Sequence, residues 1–247
     1  MRTHHKIEIW LVLGLSLGQS AVYAIVSLTA KLARGPLEES QATLNPNRSD
    51  LAWLDFTLNA LSITFALVPV ALALYLLSRD HDAPPLFERI GLAKNRPLVD
   101  VAAGFGLAAV IGIPGLLVYV LGKRFGLTVD LVLAPENLYA WSVAFLVLAA
   151  IQNALLEEVI AIGYLLTRLR EAGWNAWTMI LASAALRGTY HLYQGPGQAL
   201  GNFLMGIVFG WWYLRTGRLW PLIVAHAVID IVAFVGYALL PDLVQKL

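Results

Sequence analysis

The side chains best suited to chemistry in this chain are ionisable groups set inside apolar runs: Glu157 and Glu158, Arg187 and His191, His226 and Asp230. His226 and Asp230 are four positions apart, as are Arg187 and His191, so on a helix each pair shares one face. Glu157 and Glu158 are adjacent and diverge by about 100° around a helix axis, so only one of them is expected to aim at a shared focus. Asn153, one turn before Glu157, adds a polar neighbour on the same face. A desolvated carboxylate beside imidazoles can take a proton from water and later return it. A second histidine, oriented by Asp230, can donate to the oxyanion that forms on an attacked carbonyl. The chain has no cysteine, which removes thiol nucleophiles, thiolate metal sites and disulfides. Two histidines with carboxylates also match a zinc or other divalent ligand set by type. No His-Glu-x-x-His spacing accompanies them. The expectation is therefore chemistry without a cofactor, with a divalent metal such as zinc as the alternative.

These groups must be held by helices in a bilayer. Of 247 residues, 59% are hydrophobic and 13% charged, against roughly 25% charged in a soluble domain. The net charge of +1 gives no basic field for nucleic acid. A spanning helix needs about 20 mostly apolar residues, and seven stretches meet or approach that length: 7–33, 51–78, 98–121, 141–167, 174–193, 198–214 and 219–240. The fold class expected is an all-α polytopic transmembrane bundle of about seven spans plus short interfacial helices. Its parts are three N-terminal spans (1–140), a core of four spans that carries the ionisable groups (141–240) and a short tail (241–247). A charge at a helix centre costs about 2.5–3.5 kcal/mol on insertion scales, so such groups must face one another or a wet cavity, and they mark function.

The first stretch starts basic and passes a small-residue Val22-Tyr23-Ala24 site, as a secretory signal does. Its apolar character continues to about Ala33, so it is read as a retained helix. Pro114 is expected to kink the third span, and 86–97 to lie in the interface as a short amphipathic piece. More lysines and arginines, among them Arg89, Arg168, Arg170, Arg215 and Arg218, fall in loops on the N-terminal side than on the other, where Arg187 was counted. That places the N-terminus in the cytoplasm of a multi-pass protein of the plasma membrane.

The residues of the last four stretches also resemble a family. Glu157-Glu158-Val159-Ile160-Ala161-Ile162-Gly163 is similar to the double-glutamate motif of CPBP-type intramembrane proteases, the group that contains the CAAX prenyl endopeptidases. His191 falls where that family's second motif places its histidine. His226-Ala227-Val228-Ile229-Asp230 is similar to the third motif, and the stretch from Gly210 to Pro221 resembles the approach to it. The resemblance covers about 141–240. It implies that Glu157 activates water, that His191 helps hold that water, that His226 and Asp230 stabilise the oxyanion and that Glu158 supports Glu157. The reaction implied is hydrolysis of a peptide bond in a membrane-embedded or lipidated substrate. Two positions depart from the pattern: Ile162 stands for the motif's arginine, and Arg187 for the phenylalanine before the histidine. Arg187 is therefore expected to supply the missing cation by pairing with Glu158.

Two other functions use the same residue types. A catalytically silent relative would act as a membrane scaffold or bacteriocin-immunity protein. A proton-coupled transporter would use glutamate, histidine and aspartate as a relay, although no repeat of the kind transporters show is present.

Overall fold

The computed structural model describes residues 3–80, 83–93 and 96–240, with side chains from residue 5. The tail at 241–247, which entered the sequence reading, lies outside the described residues. Apolar runs become helices in the order α1 (Thr3–Gly14), α2 (Leu17–Arg34), α3 (Ala52–Ala66), α4 (Val68–Ser78), α5 (Leu86–Arg89), α6 (Pro97–Arg124), α7 (Ser142–Glu157), a π-helical segment (Glu158–Tyr164), α8 (Leu165–Glu171), α9 (Ala176–Tyr190), α10 (Pro196–Thr216) and α11 (Trp220–Leu239). The all-α bundle is as expected. One short parallel pair, β1 (Gln41–Thr43) with β2 (Asp130–Val132), was not foreseen. Three residues a side of regular pairing leave little periodicity to read.

The count of seven spans is corrected. Among the described residues, four helices are long and apolar enough to cross a membrane, or up to five if the bent pair α1 and α2 forms one span. The four are Ala52–Ser78, Pro97–Arg124, Ser142–Glu171 and Trp220–Leu239. The stretch expected as a fifth span, 174–193, yields α9 with 15 residues, or about 22 Å at 1.5 Å per residue. It begins where the Asn175 side chain accepts from the Thr178 backbone N–H at 3.0 Å, and it stops at His191. The following α10 is longer, but Gln198 and Asn202 dilute its apolar character. The outward faces are apolar, as lipid requires: Trp10 is 75% exposed and Leu98 84%.

Breaks in the first two spans have local causes. α1 and α2 bend by 49° where the Ser16 hydroxyl donates to the Val12 carbonyl at 2.6 Å. α3 gives way to α4 at Leu67 because Pro69 cannot donate its missing N–H and crowds the preceding turn. In α6, by contrast, the helix continues through Pro114.

Helices α9 and α10 form a tight hairpin around the site. At Gly206 an added Cβ would stand 2.8 Å from the Ala184 Cα, so only glycine lets these two backbones approach this closely. The hairpin turn needs Gly195, whose φ of +102° suits glycine alone and whose missing Cβ leaves room for the Leu127 carbonyl. That turn is pinned from outside the hairpin: Val129 N–H donates to the Gln194 carbonyl at 3.1 Å, and Lys31 donates to the Tyr193 carbonyl at 2.6 Å.

On the N-terminal side, Arg168 does more than signal topology. It is 1% exposed and donates to Asp80 at 2.6 Å, Glu171 at 3.0 Å and Glu8 at 3.0 Å, while Arg89 donates to Asp80 at 2.9 Å and also bonds Glu171. This cluster ties α1, the loop after α4 and α8 together. Arg218, also read as a topology signal, grips Asp100 at the start of α6. Arg187 belongs to no loop at all: it is fully buried inside the bundle.

Candidate active site

The site forms where α7 ends. Helix α7 passes at Glu158 into one wide π-helical stretch, in which every residue through Tyr164 is buried. Such bulges interrupt α-helical spacing and frequently mark functional positions. The stretch packs against α4, α9 and α10, and α9 and α11 supply the partners of the two glutamates.

Arg187 of α9 joins them. Its Nη2 donates to Glu158 Oε1 at 2.6 Å and its Nη1 to Glu157 Oε2 at 3.3 Å. The expectation that adjacent glutamates must turn to different partners is therefore corrected. A planar guanidinium fork is wide enough to take one carboxylate on each nitrogen, and it bridges the divergence that the helix imposes. The arginine lies 5.4 Å from the Phe209 ring centroid, with Nη1 3.9 Å from Met205 Sδ, both from α10. A cation over an aromatic face is favourable, more so when desolvated. The Arg187–Glu158 pair expected from the two motif departures is present.

His226 of α11 completes the inner layer. Its Nδ1 lies 2.7 Å from Glu158 Oε1. An ionised carboxylate has no proton to give, so the ring N–H donates. Its Nε2 faces Asp230 Oδ2 at 3.6 Å, a charge-pair distance and too long for a hydrogen bond. The sequence assigned the orientation of His226 to Asp230. The structure assigns that hydrogen bond to Glu158, because the ring reaches across to the neighbouring helix instead of along its own. Asp230 is held in turn by the Asn153 amide, at 3.4 Å.

Tyr190 was missed. Its hydroxyl donates to Glu157 Oε2 at 2.6 Å, and its ring stacks at a tilt on His191, 4.7 Å between centroids. Its position beside a candidate histidine was the signal available. His191 itself engages the Arg187 carbonyl through Nδ1 at 3.0 Å. No hydrogen bond joins His191 to either glutamate among the described residues.

Exposure separates the two layers. The Glu158 and Arg187 side chains are 0% exposed, whereas Glu157 keeps 13% and Asp230 19%. The inner pair is sealed from solvent, whereas the outer carboxylates keep accessible surface. Glu157, Glu158 and His226 could also hold a metal ion, since each offers a ligand atom and these atoms lie within 4.8 Å of one another. Glu158 Oε2 is buried without a hydrogen-bond partner, which leaves one lone acceptor. Against a metal stands the guanidinium, already bonded to both carboxylates.

Comparison with known proteins adds one finding. Residues 139–232 match the Rce1-like family model, described as type II CAAX prenyl endopeptidase Rce1-like. No curated protein and no solved structure matches the chain. The matched segment contains α7 through most of α11 and every residue of the network above, from Asn153 to Asp230. Residues 139–232 of this integral membrane protein are thus similar to the CPBP/CAAX protease family.

Proposed function

We propose that the protein is an intramembrane endopeptidase that hydrolyses a peptide bond of a membrane-associated or lipidated, CAAX-like substrate, using water activated by Glu157. The observation that carries this reading is the asymmetry of the glutamate pair. Glu158 is sealed and tied to Arg187 and His226. Glu157 is partly exposed, and its Oε1 takes no hydrogen bond from the described residues while Oε2 is held by Tyr190 and Arg187.

In the proposed reaction a water on Glu157 Oε1 gives up a proton as its oxygen attacks the scissile carbonyl, and the carbonyl electron pair moves onto oxygen. His191 Nε2 helps hold the water. His226, flanked by carboxylates at both ring nitrogens, can carry a proton on each and donates from Nε2 to the oxyanion. Asp230 balances its charge and Asn153 fixes Asp230. Collapse of the intermediate expels the amine, which takes its proton from Glu157. Glu158 and Arg187 hold the frame and touch no substrate.

The reaction is proposed as metal-free. A dication bound by Glu157 and Glu158 would stand against the guanidinium that already bonds both, and like charges at contact distance repel strongly in a low-dielectric interior. The same reading makes the chain a multi-pass protein of the plasma membrane with its N-terminus cytoplasmic, supported by the lysine and arginine bias of the loops.

One observation favours a second reading. Arg187 also reaches Glu157, at 3.3 Å, and a carboxylate locked in an ion pair is a poor base. A silent relative acting as a membrane scaffold would tolerate that. The deciding experiment is to reconstitute the protein and its Glu157→Gln variant in liposomes and assay a library of membrane peptides. Cleavage by the parent alone supports the protease. No cleavage by the parent, with its cellular effect retained in the variant, supports the scaffold.

A further inference from the structure

The loops that lead into α3 and α7 are laced together. The Asn47 amide donates to the Asn137 carbonyl at 3.0 Å, and the Asn137 N–H returns a bond to Asn47 Oδ1 at 2.9 Å. The Asn45 amide donates to the Leu133 carbonyl at 2.7 Å, and the Tyr139 hydroxyl to the Asp50 carbonyl at 3.2 Å. Tyr139 stacks on Trp141 at 5.1 Å, and Phe56 of α3 makes an edge contact with Trp141 at 5.6 Å. Aromatic rings at the start of spanning helices sit at the headgroup level of a bilayer.

A cavity of ≈ 300 Å³ opens behind these rings. Arg48 is aimed across it by two neutral acceptors: its Nε donates to Asn59 Oδ1 at 3.1 Å and its Nη2 to Ser62 Oγ at 2.8 Å. Its Nη1 is left over, and among the described residues no carboxylate pairs with the guanidinium. The one acidic residue of the lining, Asp55, spends its oxygens on the Arg48 backbone N–H at 2.8 Å and the Asn59 amide at 3.1 Å. The Trp141 indole nitrogen is buried without an acceptor. The Gln152 side chain, in the same lining, also has no partner among the described residues. Buried donors without acceptors are costly, so donors gathered on one cavity suit one acceptor-rich ligand.

The surroundings narrow the ligand. Ser62 stands about ten residues into the Ala52–Ser78 span, about 15 Å along it, and Arg48, which reaches it, is exposed. On the same helix Leu61 is 45% exposed and Phe65 66%. A charge beside hydrocarbon needs a counter-charge, and basic pockets between spanning helices take phosphate-bearing headgroups. With both Asp55 oxygens committed, a headgroup ammonium would find no carboxylate here. At about 30 Å³ for each water-sized group the space takes about ten of them, the size of a phosphodiester with a small polyol.

We propose that this cavity binds an anionic phospholipid whose headgroup carries no ammonium, its phosphate held by Arg48, the Trp141 N–H and the Gln152 amide. The bound lipid ties α3 to α7 from the membrane side. It takes no part in hydrolysis, and the site stands whether or not the chain cleaves peptides.

The test is native mass spectrometry of the full-length protein in a non-ionic detergent. Dihexanoyl phosphatidylglycerol, dihexanoyl phosphatidylcholine and inorganic phosphate serve as separate probes. Phosphatidylglycerol should form a saturable one-to-one complex, tighter than that of phosphatidylcholine, and should raise the unfolding temperature by mass action. In Arg48→Gln its affinity should fall about tenfold, the scale of one charge-assisted hydrogen bond. Trp141→Phe keeps an aromatic ring against Tyr139 and Phe56 and loses only the N–H, so a drop of about threefold is expected. That variant decides the matter if Arg48→Gln does not fold. Equal affinity of the parent and the folded variants, or equal binding of the two lipids, overturns the site. Inorganic phosphate that binds as tightly as the lipid makes it a general anion site and overturns the lipid assignment.

Discussion

Arg187 and Glu158 meet at 2.6 Å in a place where neither side chain has any exposed surface. A buried charge without its partner is strongly destabilising, at about 3–5 kcal/mol when one member of a pair is removed. Arg187→Phe should therefore lower the thermal unfolding temperature in detergent as well as abolish activity. If the arginine replaces the cation that Ile162 lacks, the double variant Ile162→Arg with Arg187→Phe should retain more activity than Arg187→Phe alone. Equal loss in both would show that the cation must come from α9.

Glu157 and Glu158 should separate when each is changed to glutamine. Glu157→Gln keeps a polar side chain in the partly exposed position and should leave stability near the parent's, while cleavage falls by about 10²–10⁴-fold, the range for a lost general base. Glu158→Gln removes the negative charge facing both Arg187 and His226. It should show as a loss of thermal stability, measured by unfolding of the purified protein. Identical profiles for the two variants would contradict the division into outer and inner carboxylates.

Tyr190→Phe deletes one hydroxyl from Glu157 Oε2 and leaves the ring on His191 in place. A hydrogen bond to a charged group contributes about 1.5–3 kcal/mol. Activity should drop by about one to two orders of magnitude, less than for Glu157→Gln. A Tyr190→Phe enzyme with full kcat/KM would mean that Arg187 alone positions the carboxylate.

The chemistry of this fold was legible because charges are conspicuous in apolar runs. Glu157, Arg187, His226 and Asp230 announced themselves by the cost of placing them in lipid, and the structure brings them into one network. Their wiring was less legible. Four-residue spacing put His226 and Asp230 on one face, but which carboxylate a ring bonds depends on the neighbouring helix, and here Glu158 is closer. The π-helical stretch after Glu157 has no periodic signature of its own. Helix α9 was read as a span because apolar character alone does not reveal that a helix stops at 15 residues. Arg48 sat in a polar loop, where nothing local in sequence connects it to Ser62 on the next helix.

The charge cluster on the N-terminal side predicts a pH dependence of stability. Burial alone would raise the Asp80 carboxyl, but hydrogen bonds and charge from Arg168 and Arg89 outweigh it, so the group lies below its ordinary value. His5, Glu8 and Glu171 complete its surroundings. A folded value below the unfolded one means that folding favours the ionised form. The contribution is then whole above the unfolded value, about 3.9, and is lost as pH falls through the lower folded value. Thermal unfolding followed from neutral to acid pH should show the parent losing its advantage over Asp80→Asn below about pH 4. A difference that stays constant down to acid pH would mean that Asp80 contributes through packing and not through its charge.

Arg187 also decides what a chelator should do. If its guanidinium is the resident cation of the two glutamates, cleavage should survive dialysis against a strong chelator, and added zinc should inhibit or leave it unchanged. A dication could enter only by displacing Arg187 from Glu157 and Glu158, and that leaves a buried arginine unpaired at a cost of several kcal/mol. Arg187→Met removes that obstacle while keeping the stem against Phe209, so it should convert Glu157, Glu158 and His226 into a site that binds a divalent ion measurably by calorimetry. Loss of parental activity on chelation, restored by zinc, would reverse the assignment and make the guanidinium a neighbour of the metal instead of its substitute.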